Sequence, residues 1–269
     1  MRKLLVFILA AVITVSLCAC DTLKNLGSVD ETELVTEFPG EISKDEMRAN
    51  LYKASNYIES IVNVNDMESN IQDDNTDEGD LYKYWTYSKA TSNVQLNMDI
   101  DVGGNTISVG KTKVKELSEF NLDIEKSPDP VPPNEVTSCT LTKDNKICSV
   151  VSMPNSTGTE QPGDNLVVGE VMGIVNEFNL PFNYNGIDEK STLKDVVEKI
   201  GTPNSMITLG SDEVSTSINL SWFNSVTKGK NVTDDSISIY LNYDAEKNEA
   251  TISSIDIRHD ECAIENSTN

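Results

Sequence analysis

Apolar and polar residues follow two spacings along the chain, one typical of helices and one typical of strands. Apolar residues at steps of three and four predict an amphipathic helix that begins after Ser43 and ends near Val62. Alternation predicts a strand over Val94–Ile100 and a hairpin over Cys139–Met153. The pattern also predicts a charged loop at Asn63–Asp80, strands at Leu81–Tyr87, Thr106–Val109 and Leu166–Val175, and a short helix at Lys111–Phe120.

The second half of the chain carries the clearest pattern. Thr192 is an N-cap residue type, the apolar residues of Leu193–Ile200 share one helix face, and Gly201 followed by Pro203 ends the helix. Three alternating strands follow, centred on Ile218–Trp222, Ile237–Leu241 and Ile252–Ile257. A helix before an antiparallel meander that is apolar on one face predicts a two-layer α+β sandwich.

The two halves of the chain resemble each other. Residues 107–112 precede residues 187–192 by 80 positions, and a similar amphipathic segment follows each of them. We therefore predict an α+β fold of two tandem small units, each a short helix packed on an antiparallel sheet, preceded by the N-terminal amphipathic helix. Chance similarity between short amphipathic segments is the alternative to a duplication.

The predicted domain organisation follows the polar and breaker-rich stretches. Residues 154–163, PNSTGTEQPG, mark either a domain boundary or a long surface loop within one domain. The predicted parts are a signal peptide at 1–20, a flexible tether at 21–42, an N-terminal αβ unit with its leading helix at 43–153, a C-terminal αβ unit at 164–260 and a tail at 261–269.

The first twenty residues have the features of an export signal. Arg2 and Lys3 precede the apolar run Leu4–Leu17, which is shorter than the roughly 20 residues of a spanning helix. The sequence Leu-Cys-Ala-Cys that ends at Cys20 resembles the lipobox of bacterial lipoproteins. This resemblance implies cleavage before Cys20 and a diacylglyceryl thioether on its sulfur. We expect a lipid-anchored protein of the cell membrane that faces the extracytoplasmic side, with an uncleaved N-terminal anchor helix as the alternative.

The charge balance narrows the choice of partners. The net charge is −23, and removal of the leader takes away Arg2 and Lys3 and brings it to −25. A strongly acidic surface repels phosphate backbones, so we expect no nucleic-acid partner. The acidity can attract basic proteins or cations, or it can simply keep the protein soluble at a cell surface.

A family resemblance lies at Ser191–Pro203, STLKDVVEKIGTP. This segment resembles the αβ unit of the SmpA/BamE-like outer-membrane assembly lipoproteins, which also occurs in tandem in β-lactamase inhibitory protein. The matching residues are Thr192, Asp195, Val196, Ile200, Gly201 and Pro203. The resemblance implies a binding scaffold and no chemistry, and it covers the C-terminal half of the chain better than the first half.

The sequence contains no recognisable catalytic constellation. His259 is the single histidine, near the end of the last predicted strand, and we interpret it as a surface residue. No nucleophile elbow, phosphate-binding glycine loop or zinc-protease motif is present. The acidic run DDNTDEGD fails the calcium-loop pattern, because Glu78 stands at the position of the required glycine. We expect a non-enzymatic protein without catalytic residues, metal site or cofactor.

Three cysteines lie beyond the lipobox. Cys139 and Cys148 flank the polar turn of the predicted hairpin and share one face, so they can form a disulfide or remain buried thiols. Both alternatives are compatible with an exported protein. Cys262 is the odd cysteine, in the predicted tail.

Two functional hypotheses follow. The first is a membrane-anchored lipoprotein that serves as a protein- or envelope-binding scaffold, whose interface aromatics are Tyr84, Trp85, Trp222 and Phe223. The second is a solute-binding or hydrolytic envelope protein that uses an acidic cleft. A deep pocket with converging carboxylates would favour the second hypothesis, and a shallow exposed sheet face would favour the first.

Overall fold

The structure is a computed structural model that describes residues 44–74, 82–88, 95–123, 130–175, 181–210, 216–228 and 231–263. The predicted signal peptide with Cys20 and the predicted tether lie outside the described residues. Two α-helices occur in the described part, α1 (Lys44–Ile61) and α2 (Leu193–Ile200). The helices predicted after Ser43 and after Thr192 are confirmed, and the apolar stripe of α1 is buried at Met47, Leu51, Ala54 and Ile58.

Thirteen strands make up most of the described part. They are β1 (Glu68–Asp74), β2 (Tyr82–Ser88), β3 (Asp99–Val102), β4 (Asn105–Ser108), β5 (Asn121–Asp123), β6 (Val136–Lys143), β7 (Lys146–Pro154), β8 (Glu170–Ile174), β9 (Phe182–Asn183), β10 (Ser205–Gly210), β11 (Ser217–Lys228), β12 (Asn231–Asp244) and β13 (Glu249–Ala263). Ten of them form one antiparallel sheet in the order β1-β2-β10-β11-β12-β13-β8-β7-β6-β5. The other three form a small sheet in the order β4-β3-β9.

The predicted α+β fold of two tandem units is wrong. A single sheet joins strands from both halves, since β2 pairs with β10 and β8 pairs with β7 and β13. Alternation along a strand reports which side is apolar, but it carries no information on which strand lies next to it. Pairing across the halves gives one continuous core in place of two small ones, and small cores stabilise a fold less effectively.

The large sheet has one buried face and one open face. On the inner face, the row Trp222, Ile237, Ile257, Val171 and Val151 runs across five neighbouring strands, and every member is at most 1% exposed. On the outer face, the next row consists of half-buried polar and aromatic residues. The members of that row are Phe223, Ser236, Arg258, Glu170 and Ser152.

The other elements pack on the inner face. Gly210 of β10 lies close to Leu51 of α1, and Gly173 of β8 lies close to Phe182 of β9. In both places a glycine on the inner face leaves room for the large apolar side chain of the covering layer. Both helices and the small sheet therefore lie on one side, and none of them covers the outer face.

Helix α2 is positioned by local signals. Thr192 Oγ accepts a hydrogen bond from the Asp195 N–H at 3.2 Å, and the Thr192 N–H donates to the Asp195 carboxylate at 2.8 Å. Gly201 ends the helix with a φ of 95°, a value that favours glycine. Its carbonyl accepts a hydrogen bond of 3.1 Å from Trp222 Nε1, which ties the end of α2 to the inner face.

Three local predictions differ from the structure. The predicted helix at Lys111–Phe120 is only a 3₁₀ turn at Val114–Glu116, because its backbone pairs with residues 166–168 instead of continuing a helix. The loop predicted at Asn63–Asp80 contains β1, which gains its hydrogen bonds from β2. The strand predicted at Val94–Ile100 begins only at Asp99.

Candidate functional site

The outer face is the first candidate surface. We define it as the alternate positions of β6, β7, β8 and β10–β13 that lie opposite the buried set. Its central row is Ser205, Ser221, Ser238, Asp256, Met172, Val150 and Thr140. Two pairs of its serines bond to each other across strands, Ser221 to Ser238 at 3.0 Å and Ser138 to Ser152 at 3.1 Å.

Half-buried apolar side chains are interspersed among these hydroxyls. They include Ile207, Leu209, Phe223, Met172, Ile174 and Val150, and at the end of β6 Val136 is 64% exposed. An open sheet face that mixes apolar side chains with short polar ones has the composition of many binding surfaces.

A carboxyl pair lies in the middle of the outer face. Burial, together with Glu170, to which its carboxyl is hydrogen-bonded, raises the pKa of Asp256 to about 8, although Arg258 acts in the opposite direction. Asp256 Oδ1 is inaccessible to solvent and has no hydrogen-bond partner. At neutral pH Asp256 is therefore mostly protonated, and it can donate a hydrogen bond to Glu170.

The four aromatic residues predicted to contact a partner do not lie together. Trp222 is 1% exposed on the inner face, so its assignment to an interface is corrected to a core position. Phe223 is half-buried on the outer face. Tyr84 and Trp85 lie on β2, opposite Leu209 and Thr208, and their side chains lie outside the described part. Trp222 was misassigned because an aromatic residue in an alternating strand can face either side.

A recess between the two sheets is the second candidate site. It has a volume of about 640 Å³ and lies where the inner face changes from apolar to polar residues. Asn224, Asp235 and His259 form one row on β11, β12 and β13, directly beyond the buried row of Trp222 and Ile237. The facing wall is formed by residues 95–98 and by the turn at residues 109–111 after β4.

His259 is held in place on three sides. Its Nδ1 lies 2.7 Å from Asp235 Oδ1, and its backbone N–H donates to the Gly169 carbonyl at 2.8 Å. Gly110, with a φ of 81°, lies against the imidazole, where a Cβ would come within 2.6 Å of His259 Cγ. The interpretation of His259 as a plain surface residue overlooked this arrangement. Extending the alternation of Ile255 and Ile257 by one step would have placed it on the inner face.

The structure also places the cysteines. Cys139 lies opposite Val151, and Cys148 falls at the irregularity of the β6–β7 pairing, so the two are offset along the strands by about two pairs. Both are buried and no disulfide joins them in the structure. Cys262 lies on β13, and its side chain is outside the described part. The disulfide between Cys139 and Cys148 stays a prediction.

Within the described residues, no group of three or more histidine, cysteine, aspartate or glutamate side chains is arranged to hold a metal ion. Neither of the described helices is long and apolar enough to cross a membrane. No protein-family model, no curated protein and no solved structure matches the chain.

Proposed function

We propose that the chain is a lipid-anchored, non-catalytic binding protein of the cell envelope, tethered through Cys20, whose outer face binds a protein partner on the extracytoplasmic side. The single observation that supports this function is the ten-stranded sheet, whose covering elements in the described part of the chain, both helices and the small sheet, lie on one face. An antiparallel sheet can leave one face to solvent, but this face carries apolar side chains such as Ile207, Phe223 and Met172, which would gain from burial against a partner.

The dimensions of the outer face suit a protein partner. Seven neighbouring strands, from β10 to β6, span about 30 Å at about 4.8 Å per strand. A protein partner in a standard interface covers about 800 Å² on each side, which corresponds to a patch of roughly this width. The face is shallow, so it suits a second surface better than a small molecule.

The charge of the chain defines the chemistry of the partner. The net charge is −23, and Asp234, Asp260 and Glu170 lie on the outer face, with Arg258 the basic residue beside them. Complementary charge favours association and opposes the wrong partners. We therefore propose a basic, partly apolar protein surface as the partner, and no nucleic acid.

The resemblance to the SmpA/BamE-like unit remains part of the proposal. The capped helix α2, the glycine that ends it and the antiparallel strands β10–β13 are consistent with that unit. What the resemblance contributes is a binding role without catalysis. It does not identify the partner.

The alternative function, a solute-binding or hydrolytic protein with an acidic cleft, is favoured by one observation. The recess beside His259 has polar groups converging on it, but among the described residues that line it Asp235 is the only carboxylate. This lining supports the binding of a small molecule better than hydrolysis.

Crosslinking from defined positions tests the proposed function. A photoreactive amino acid would be placed at Ser238 or Ile207 on the outer face, and at Glu198 on α2 as the matched control, in the lipidated chain on intact cells. We expect one dominant basic protein from both outer positions and none from Glu198. Ser236→Arg should abolish its capture, whereas Ser60→Arg on α1 should leave it unchanged. No dominant species, or the same species from Glu198, would overturn the proposal.

A further inference from the structure

The recess between the sheets brings polar side chains together without using them in the fold. Among the described residues that line it, only Asp235 and His259 bond to each other through their side chains. The side chains of Gln95, Lys111, Asn224 and Thr233 form no hydrogen bond or ion pair with any described residue. These four side chains surround one concavity and can form hydrogen bonds with a polar ligand.

Opposite charges lie on opposite walls of this recess. Asp235 belongs to the wall formed by the large sheet, and Lys111 belongs to the turn after β4 on the facing wall. Apart from the imidazole, these are the charged groups among its described lining residues. A ligand with one positive and one negative end matches this arrangement, whereas a ligand with a single charge meets one wall of its own sign.

The imidazole of His259 adds a second acceptor, beside Asp235, for the positively charged end of such a ligand. A carboxylate can only accept, so the proton between Asp235 and His259 lies on Nδ1, and in this tautomer Nε2 is the ring nitrogen that can accept from a ligand. Leu96, Met98 and Val109 complete the facing wall with apolar surface beside Lys111.

From these observations we infer that the recess binds a small zwitterion of amino-acid type with an apolar side chain. Its ammonium group donates to Asp235 and His259, its carboxylate pairs with Lys111, and its side chain packs against Leu96 and Met98. The volume of about 640 Å³ lies in the range of small-molecule sites. This inference is independent of the proposed function, because the recess lies on the inner face and the partner surface on the outer face.

The single histidine provides a selective probe of the site. The ¹⁵N-labelled full-length chain, in detergent micelles and without a histidine tag, gives one set of imidazole signals. These signals would be followed during titration with L-leucine, with L-leucinamide, which lacks the carboxylate, and with 4-methylpentanoate, which lacks the ammonium group. We expect a saturable shift with L-leucine and about tenfold weaker binding of each analogue, as for the loss of one charge-assisted contact.

Two lysine variants separate a site from a general charge effect. Lys111→Gln should weaken L-leucine binding about tenfold and make it equal to the binding of L-leucinamide. Lys113→Gln, an exposed lysine outside the recess, should leave binding unchanged. Unaltered imidazole signals in the ligand-free variants establish that the site is intact. The absence of a saturable shift, equal binding of all three probes, or equal effects of the two variants would overturn the inference.

Discussion

Asp256→Asn should make the protein more stable at alkaline pH. In the folded protein burial holds the pKa of Asp256 at about 8, well above the value of about 3.9 for an unperturbed aspartate. The folded state therefore keeps a proton that the unfolded state releases above about pH 4. Asparagine is nearly isosteric, cannot ionise and retains a donor for Glu170, so it removes the titration while keeping the contact.

The sign and size follow from proton linkage. Between about pH 4 and pH 8 the native state binds more protons at this residue than the unfolded state, so the free energy of unfolding decreases as the pH rises. The decrease reaches at most about 1.4 kcal/mol per pH unit, and between pH 5 and pH 8 it amounts to roughly 2–4 kcal/mol. Near pH 4 the variant and the wild type should be equally stable. At pH 8 the variant should be the more stable.

Urea unfolding at closely spaced pH values measures this difference. The quantity of interest is the free energy of unfolding of Asp256→Asn minus that of the wild type, since other carboxyl groups contribute equally to both. Asp164→Asn, an exposed residue, controls for the removal of one negative charge. Glu170→Gln should reduce the pH dependence, because it removes the neighbour that helps to raise the pKa of Asp256. A difference that is constant from pH 5 to pH 8 would refute the reasoning.

Three further substitutions test the packing. Trp222→Ala should lower the free energy of unfolding by about 3–5 kcal/mol, measured in urea, since the ring is 1% exposed; a loss below 1 kcal/mol would contradict its place in the core. Gly110→Ala should shift the NMR signals of the His259 imidazole, because the added Cβ would meet the ring. Gly104→Ala is the control, since Gly104 has a similar φ of 82° but nothing within 4 Å of the added Cβ. It should lower the free energy of unfolding by about 1 kcal/mol and leave the imidazole signals unchanged. Thr192→Ala should cost about 1 kcal/mol by removing the helix cap, and an unchanged midpoint in thermal unfolding would argue against the cap.

The elements were easier to predict than their arrangement. The helix from Thr192 to Gly201 and the strands around Ile237 and Ile255 follow from local signals, namely a cap, a terminating glycine and alternation. These signals act within about ten residues, so they are present in the sequence itself. The pairing of β8 with β13 links residues far apart in the chain, and no local pattern determines it.

The candidate sites depend on that long-range arrangement. The row of Asn224, Asp235 and His259 exists only because three strands bring it into register. The carboxyl pair of Asp256 and Glu170 likewise depends on the pairing of β8 with β13. The predicted boundaries placed both strands in the C-terminal unit, but the sequence did not indicate that they are neighbours. For this reason the acidic composition indicated that carboxylates would be close to each other, but it could not indicate which ones.

The central position of β13 has a consequence for biogenesis. It is the last described strand, yet it lies between β12 and β8 and thereby joins the two parts of the large sheet. In the export that we propose, which starts from the N-terminus, β5–β8 would emerge long before the strand that joins them to β10–β12. Contacts between distant parts of a chain slow folding, and unpaired edges favour aggregation meanwhile. If exported as proposed, the chain should depend on chaperone protection until β13 has crossed the membrane.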